Sequence, residues 1–197
     1  MTDPESKKSL TPEYFEDVYK ANDDPWNFAA SEYEAAKYSA TLDALPRENY
    51  RSAFEIGCSI GVLTARLAER CRALLAVDVS DAALAKANSR CRNLTNVEFE
   101  LMHVPNEFPD RKFDLILVSE VGYYLDVEDW KLTFERIFSH LEPQGNIVLV
   151  HWTPEVHDYP QTGDEVHDLF AKWSEDKLRL IKNRRAEKYR LDVWEKI

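Results

Sequence analysis

Two glycines and two acidic residues form the pattern in this chain that is best suited to binding a small ligand. The motif Glu55-Ile56-Gly57-Cys58-Ser59-Ile60-Gly61 joins an apolar run to a segment that reads as a helix start. Gly57 allows a sharp turn and a close approach to a ligand, and Gly61 allows the helix to pack tightly on the strand. Asp78 ends the next apolar run, about 20 residues after the first glycine, where a carboxylate can reach ribose hydroxyls. These features predict a nucleoside site, and the glycine spacing speaks against NAD.

Apolar runs alternate with helix-like segments through most of the chain, which predicts an α/β fold. We expect one domain over residues 1–197, built on a doubly wound, Rossmann-like, seven-stranded sheet with an antiparallel C-terminal edge strand. Residues 1–45 precede the first strand and read as a helical extension, with residues 1–9 disordered. Strands are predicted near residues 54–56, 74–77, 97–102, 113–118, 146–150, 178–182 and 189–194.

Ligands in such sheets lie beyond the carboxyl ends of the strands. Five predicted strand ends carry polar or glycine-rich segments, and we expect all five to meet in one crevice. These segments are Glu55 to Gly61, Asp78, Met102 with His103, Ser119 to Val121, and His151.

The glycine motif and Asp78 together resemble class I methyltransferases, which use S-adenosylmethionine. The resemblance implies that the glycine loop passes under the amino-acid part of the cofactor and that Asp78 holds the ribose. Many members have glycine where Ser59 stands, and an acid where His103 stands; here the adenine would meet His103 or pack on Met102. The resemblance implies a cofactor site made of Trp26, Tyr33, Glu55, Gly57, Cys58, Ser59, Gly61, Asp78, Val79, Met102, His103, Val104, Ser119, Glu120 and Val121.

Two further segments resemble the nodulation protein S group of these enzymes. They are Val104-Pro105-Asn106-Glu107-Phe108-Pro109 and Ser119-Glu120-Val121-Gly122-Tyr123-Tyr124-Leu125, and the N-terminal extension fits the same group. Characterised members methylate the nitrogen of an amino sugar. The resemblance therefore implies a methyl acceptor that is a small molecule or saccharide, with S-adenosylhomocysteine as the product.

Four residues are candidates for the base that takes the proton of the acceptor: Glu120, Tyr124, His151 and His157. Glu120 and His151, at predicted strand ends, are the preferred two. Glu120 follows strand four and can hold an ammonium acceptor, whereas His151 follows strand five and has the pKa range of a general base. Glu120 is equally compatible with a capping or water-bonded acid, and His151 with a structural histidine at the sheet edge.

Aromatic residues are dense in the N-terminal extension. Most of them are expected to dock the two helices onto the core. Trp26 and Tyr33 are the candidates for a lid over the cofactor.

Composition limits the partners. The net charge of −11 argues against a general nucleic-acid surface. The three cysteines lack the spacing of a disulfide framework or a zinc site, and the histidines fit no common metal pattern. No apolar run has membrane-spanning length and no signal core is visible, so we expect a cytoplasmic protein. The sequence does not indicate an oligomeric state.

Three other functions remain open. An O-methyltransferase would have the same motifs. A nicotinamide-dependent oxidoreductase is disfavoured by the glycine spacing. A non-catalytic protein that keeps the cofactor site as a sensor would differ only in lacking turnover.

Overall fold

The computed structural model describes residues 7–197, which form a seven-stranded sheet with helices on both faces. The strands are β1 (Ala53–Ile56), β2 (Leu74–Asp78), β3 (Val97–Leu101), β4 (Phe113–Ser119), β5 (Leu141–Trp152), β6 (Leu178–Arg185) and β7 (Tyr189–Lys196). The helices are α1 (Pro12–Ala21), α2 (Glu32–Ala44), α3 (Val62–Leu67), α4 (Asp81–Arg90), α5 (Val127–His140) and α6 (Gly163–Ser174), with 3-10 turns at Ala68–Arg70 and Gly122–Tyr124.

The strand order is β3-β2-β1-β4-β5-β7-β6. Strands β1 to β5 are parallel, and β7 runs antiparallel to both β5 and β6. The doubly wound sheet with antiparallel C-terminal pairing is therefore confirmed, with β7 one strand in from the edge. The order reverses between β1 and β4, and this is where a crevice opens in such sheets.

Side chains of the central strands alternate between two packed faces. Phe54, Ile116 and Leu149 belong to the cluster that packs under α5 and α6. Leu117 and Val148 face the other way, toward α2 and α3. Strands β1, β2 and β4 are buried along their whole length, as expected for parallel strands covered on both faces.

All the helices given above except α3, which begins after Gly61, start where the sequence places a capping side chain. Thr11, Ser31, Ser80 and Asp126 each accept a hydrogen bond from a backbone N–H in the first turn of the helix that follows. Thr162 and Glu165 form a reciprocal capping box at the start of α6. Polar cap residues therefore fix the helix entries, and the loops between them shape the crevice.

The two N-terminal helices dock onto the core. Helix α1 packs on α4, and α2 packs on the face that includes Leu115 and Leu117. The backbone N–H of Leu10 donates to Tyr124 O at 2.8 Å, and the N–H of Asp126 donates to Ser9 Oγ at 2.8 Å. The disorder predicted for residues 1–9 is therefore wrong at Ser9, while residues 1–6 lie outside the described part of the chain.

Helices of the described residues are all too short or too polar to span a lipid bilayer. Over the same residues 7–197, no three His, Cys, Asp or Glu side chains cluster in a way that could hold a metal ion.

Candidate active site

A cavity lies beyond the carboxyl ends of β1, β2, β3 and β4, under α1 and the loop that follows it. Its floor comes from the strand ends and its roof is largely aromatic. The residues that border it are Leu10, Phe15, Tyr19, Trp26, Phe28, Tyr38, Glu55, Ile56, Gly57, Cys58, Ser59, Ile60, Val62, Leu63, Val77, Asp78, Val79, Met102, His103, Val104, Ser119, Glu120, Val121, Tyr124 and Leu125.

The glycine loop after β1 forms one wall of this cavity. Gly57 has φ +79°, and a Cβ built there would lie 2.2 Å from Val121 Cγ2. Only glycine fits this position, because any side chain would both strain the backbone and collide with its neighbour. The N–H groups of Gly57 and Cys58 both donate to Val77 O at 2.9 Å. The loop is thus fixed to β2 and exposes bare backbone to the cavity.

Ser59 stands in a left-handed conformation, with φ +52°. This explains why glycine suits the position. The serine has a contact that glycine would lack, since Tyr19 Oη donates to Ser59 Oγ at 2.6 Å. Ser59 therefore links the glycine loop to α1.

Asp78 at the end of β2 is buried and borders the cavity. Its Oδ2 accepts from the N–H of Ser59 at 2.8 Å, and its Oδ1 accepts from the N–H of Ser80 at 3.1 Å. Burial raises the pKa of Asp78 to about 6, even though these N–H groups favour the ionised form. The carboxylate is rigidly held and retains capacity to accept bonds from a ligand.

Glu55 within β1 is 2% exposed, borders the same cavity, and has an Oε2 atom without a hydrogen-bond partner. Burial raises its pKa to about 7. An orphaned carboxyl oxygen in a buried site is costly unless a ligand satisfies it. The residue fits a cationic or hydrogen-bond-donating ligand group.

The segment after β3 adds Met102, His103 and Val104 to the cavity wall. Met102 and Val104 are buried and present apolar surface. The backbone N–H of His103 donates to Glu107 Oε2 at 2.7 Å, which fixes the turn. The wall here is suited to packing on a flat ring.

Glu120 follows β4 in a left-handed conformation, with φ +60°. Its Oε1 accepts from Lys37 Nζ at 2.6 Å, and its Oε2 accepts from the N–H of Trp152 at 3.0 Å and from Tyr123 Oη. A non-glycine residue in this region is uncommon, and such strain concentrates at functional sites. Glu120 borders the cavity with its carboxylate already fixed by three protein donors.

His151 does not reach the cavity, which corrects the expectation that it faces the acceptor. It is fully buried, and its Nε2 accepts from the N–H of Gly122 at 3.0 Å. Its Nδ1 lies 3.1 Å from His167 Nε2, and His167 Nδ1 lies 2.7 Å from Asp192 Oδ2. Because the N–H of Gly122 donates a hydrogen bond to Nε2, the imidazole proton of His151 lies on Nδ1 and is donated to His167 Nε2. The proton of His167 then lies on Nδ1 and is donated to Asp192.

The electrostatics of His151 also oppose a role as general base. Burial lowers the pKa of His151 well below its ordinary value, and the neighbouring His167 and Lys37 lower it further. Both ring nitrogens are occupied by protein partners. The alternative of a satisfied structural histidine is the one that this geometry matches.

Two other predicted site residues also lie away from the cavity lining. Tyr33 packs against Trp152 and Tyr189, at ring-centroid distances of 5.8 and 6.4 Å. Gly61 faces helix α4: a Cβ built there would lie 3.0 Å from Ala87 Cα, so its close packing is against a helix and not the strand. Trp26 does border the cavity, stacked on Phe28 at 5.7 Å.

Several lining residues were not predicted as site residues. Phe15, Tyr19, Phe28 and Tyr38 come from the N-terminal extension, where their aromatic character signalled docking. Tyr124 was a candidate base but was not predicted to line the cofactor cavity. Lys37, which contacts Glu120 from α2, had no signal in the sequence, because the contact joins residues far apart in the chain.

Comparison with known proteins identifies relatives of this chain. Nodulation protein S of Sinorhizobium fredii is 32% identical over 130 residues, which cover 65% of this chain and 60% of that protein. The chain thus spans about three-fifths of the length of the curated relatives it matches.

Solved structures share the fold. A protein from Pseudomonas syringae with a known crystal structure is 32% identical to this chain in sequence. The match covers 84% of this chain and all of the Pseudomonas chain, with a TM-score of 0.75. The N-methyltransferase NodS of Bradyrhizobium japonicum WM9, solved with S-adenosyl-L-homocysteine, gives a TM-score of 0.84 at 21% identity, over 95% of this chain and 99% of that one. The family model for nodulation protein S matches residues 14–186, so this chain belongs to the nodulation protein S (NodS) family.

Proposed function

We propose that this protein transfers a methyl group from S-adenosylmethionine to the nitrogen of a small molecule or amino sugar. Family membership supports the proposal, as does the name of the Bradyrhizobium relative, an N-methyltransferase. The observation that carries it is the cavity wall made by Gly57, Glu55 and Asp78. There, bare backbone, an unpartnered carboxyl oxygen and a rigid carboxylate converge beyond the strand ends.

The residues fit the parts of this cofactor by chemistry. Gly57 leaves room for the amino-acid portion, Glu55 suits its ammonium group, and Asp78 suits the ribose hydroxyls. Met102 and Val104 offer apolar surface to the adenine. When bound, the cofactor supplies an electrophilic methyl group on a sulfonium.

The aromatic roof favours a positively charged ligand. Tyr19, Trp26 and Phe28 border the cavity, and aromatic faces attract a sulfonium or ammonium through their quadrupoles. We propose that residues 1–45 act as a lid on one domain spanning residues 1–197. For an amine acceptor, the chain must orient the nitrogen and accept a proton. Glu120, which borders the cavity at the end of β4, is the residue that we propose for both tasks.

Cofactor binding is the first test. Calorimetry should detect binding of S-adenosylmethionine and of S-adenosylhomocysteine to the protein, and no binding of NAD. Asp78→Ala should weaken binding by about 1–3 kcal/mol, the cost of unpaired polar groups. Asp81→Ala, an exposed acid at the start of α4, serves as the matched control. Unchanged affinity in the Asp78 variant would contradict its assignment to the ribose.

The acceptor atom is the second test. A screen with methyl-labelled cofactor against amines and matched alcohols separates N- from O-methylation. Cofactor binding without turnover on either class would leave the sensor function as the better account.

A further inference from the structure

The buried ammonium of Lys37 joins the N-terminal extension to the end of β4. Lys37 is 2% exposed, and its Nζ lies 2.6 Å from Glu120 Oε1 and 2.9 Å from Glu34 Oε2. Burial by itself would lower the pKa of Lys37, but the two carboxylates outweigh burial and raise it. The lysine therefore stays charged between two acids.

The charges of this cluster do not balance. Two carboxyl groups, Glu34 and Glu120, face a single ammonium, and burial raises the pKa of Glu34 above its ordinary value. When both are ionised, the cluster carries one excess negative charge in a largely buried place. Excess buried charge is costly unless a further partner compensates it. A cationic ligand next to Glu120 would supply that partner, whereas an anionic one would be repelled.

Glu120 has capacity for one more bond. An ionised carboxylate offers about four acceptor positions. Lys37 occupies one on Oε1, while the N–H of Trp152 and the hydroxyl of Tyr123 occupy those on Oε2. Because Glu120 borders the cavity, the remaining position on Oε1 is available to a ligand there.

We propose that Lys37 is a positioning residue that holds Glu120 for an amine acceptor bound as a cation, so that helix α2 completes the acceptor subsite. Before methyl transfer the ammonium passes one proton to the Glu120 carboxylate, which frees the nitrogen lone pair to attack the methyl carbon; the S–C bond breaks as the N–C bond forms, and S-adenosylhomocysteine leaves. This inference rests on the proposed methyl transfer. It makes the acceptor class a protonated amine and excludes phosphorylated or carboxylated groups next to Glu120. The N-terminal extension then contributes to acceptor choice as well as to covering the cofactor.

The test separates positioning from simple charge balance. Lys37→Met, Glu120→Gln and the double variant are compared with the wild-type protein. Thr41→Val is the control, since Thr41 is equally buried one turn along α2 and its hydroxyl donates to Lys37 O, away from Glu120. Urea unfolding measures stability, calorimetry measures S-adenosylhomocysteine binding, and labelled methyl transfer to D-glucosamine and ethanolamine gives kcat and KM.

Lys37→Met should raise the amine KM about tenfold or more and lower stability, with cofactor affinity close to that of the wild-type protein. The double variant should regain part of the lost stability, because it removes one of the two carboxylates that Lys37→Met leaves without an ammonium, yet keep the raised KM. Recovery of both stability and KM in the double variant would reduce Lys37 to a counter-ion and overturn the inference. So would an unchanged KM in Lys37→Met. If the wild-type protein methylates neither amine, the N-methylation proposal falls, and the inference with it.

Discussion

The ends of β4 and β5 are neighbours in the sheet, yet one opens on a cavity and the other is sealed. Glu120 after β4 borders the cavity in a strained, left-handed conformation. His151 at the end of β5 is fully buried, with both ring nitrogens bonded to protein. Equivalent positions in adjacent parallel strands therefore have opposite uses.

Helix α6 makes the difference. It packs so closely on β5 that a Cβ built at Gly163 would lie 2.1 Å from Trp152 O. A Cβ at Gly122 would lie 2.5 Å from Val166 Cγ1 of the same helix. The end of β4 is instead covered by the N-terminal extension, which leaves the cavity beneath it. What covers a strand end decides whether its polar residues serve a ligand or the fold.

The sharpest test of this contrast exchanges single polar groups at each end. Glu120→Gln should lower kcat/KM for an amine about 10–100-fold, the loss of one hydrogen bond to a charged group. His151→Gln should stay within about threefold of the wild-type protein, since glutamine can still accept from Gly122 N–H. Methyl transfer at saturating cofactor measures both. A larger loss in His151→Gln than in Glu120→Gln, without a loss of stability, would reverse the comparison.

Breaking the sealed end should affect stability. His167→Leu leaves the Nδ1–H of His151 without its partner and should lower the free energy of unfolding by about 1–3 kcal/mol. Cofactor affinity should not change. Urea unfolding and calorimetry test this, with His157→Gln, an exposed histidine, as control. If cofactor affinity falls as steeply as stability, the sealed end also shapes the cavity.

The stability contributions of the cavity wall and of the sealed end of β5 should also respond oppositely to pH. Burial raises the pKa of Glu55 above its ordinary 4.5 to about 7. The native state thus holds this proton more tightly, so Glu55 lowers stability as pH rises from about 4.5 to about 7. Burial lowers the pKa values of His151 and His167 below their ordinary 6.5, so these residues lower stability as pH falls through 6.5. Unfolding across pH 5–8 should show a weaker first trend in Glu55→Gln, in which Asp78 with its raised pKa remains, and a weaker second trend in His167→Leu, in which His151 remains.

Cofactor affinity should follow the two carboxyl groups of the cavity wall, Glu55 and Asp78. An ionised Glu55 attracts an ammonium, so affinity for S-adenosylmethionine should rise with pH up to about 7 and then level off. The slope can reach about tenfold per pH unit. Glu55→Gln should flatten the curve between about pH 6 and 7, above the pKa of Asp78, and an unaltered slope there in that variant would remove Glu55 from the site.

The smallest expected effect concerns the N-terminal extension, which covers the cavity beyond the end of β4. Helix α1 is tied to the glycine loop through Tyr19 and Ser59, so a ligand on that loop should stabilise it. Amide exchange in residues 11–45 should slow severalfold when S-adenosylhomocysteine is added, while α6 stays unchanged. Equal exchange with and without the ligand would make the extension a fixed appendage.

Sequence reasoning predicted the elements well because each carries local signals. Caps at Ser31, Ser80 and Asp126 and the apolar runs between them predict helices and strands that the structure contains. The predicted β5, 146–150, was shorter than the observed Leu141–Trp152, because Pro143-Gln144-Gly145 reads as a turn. Most of the predicted cofactor residues border the cavity, because a parallel sheet brings its carboxyl ends to one edge.

The sequence by itself determined the family, the alternation of strands and helices, and the glycine and acid positions around the first two strands. Those features depend on spacing along the chain, which a strand-turn-helix unit converts directly into geometry. Only the tertiary structure decided that His151 is sealed, that Tyr33 packs away from the cavity, and that Lys37 meets Glu120. These outcomes depend on which helix covers which strand end, and that is set by packing between residues distant in the chain.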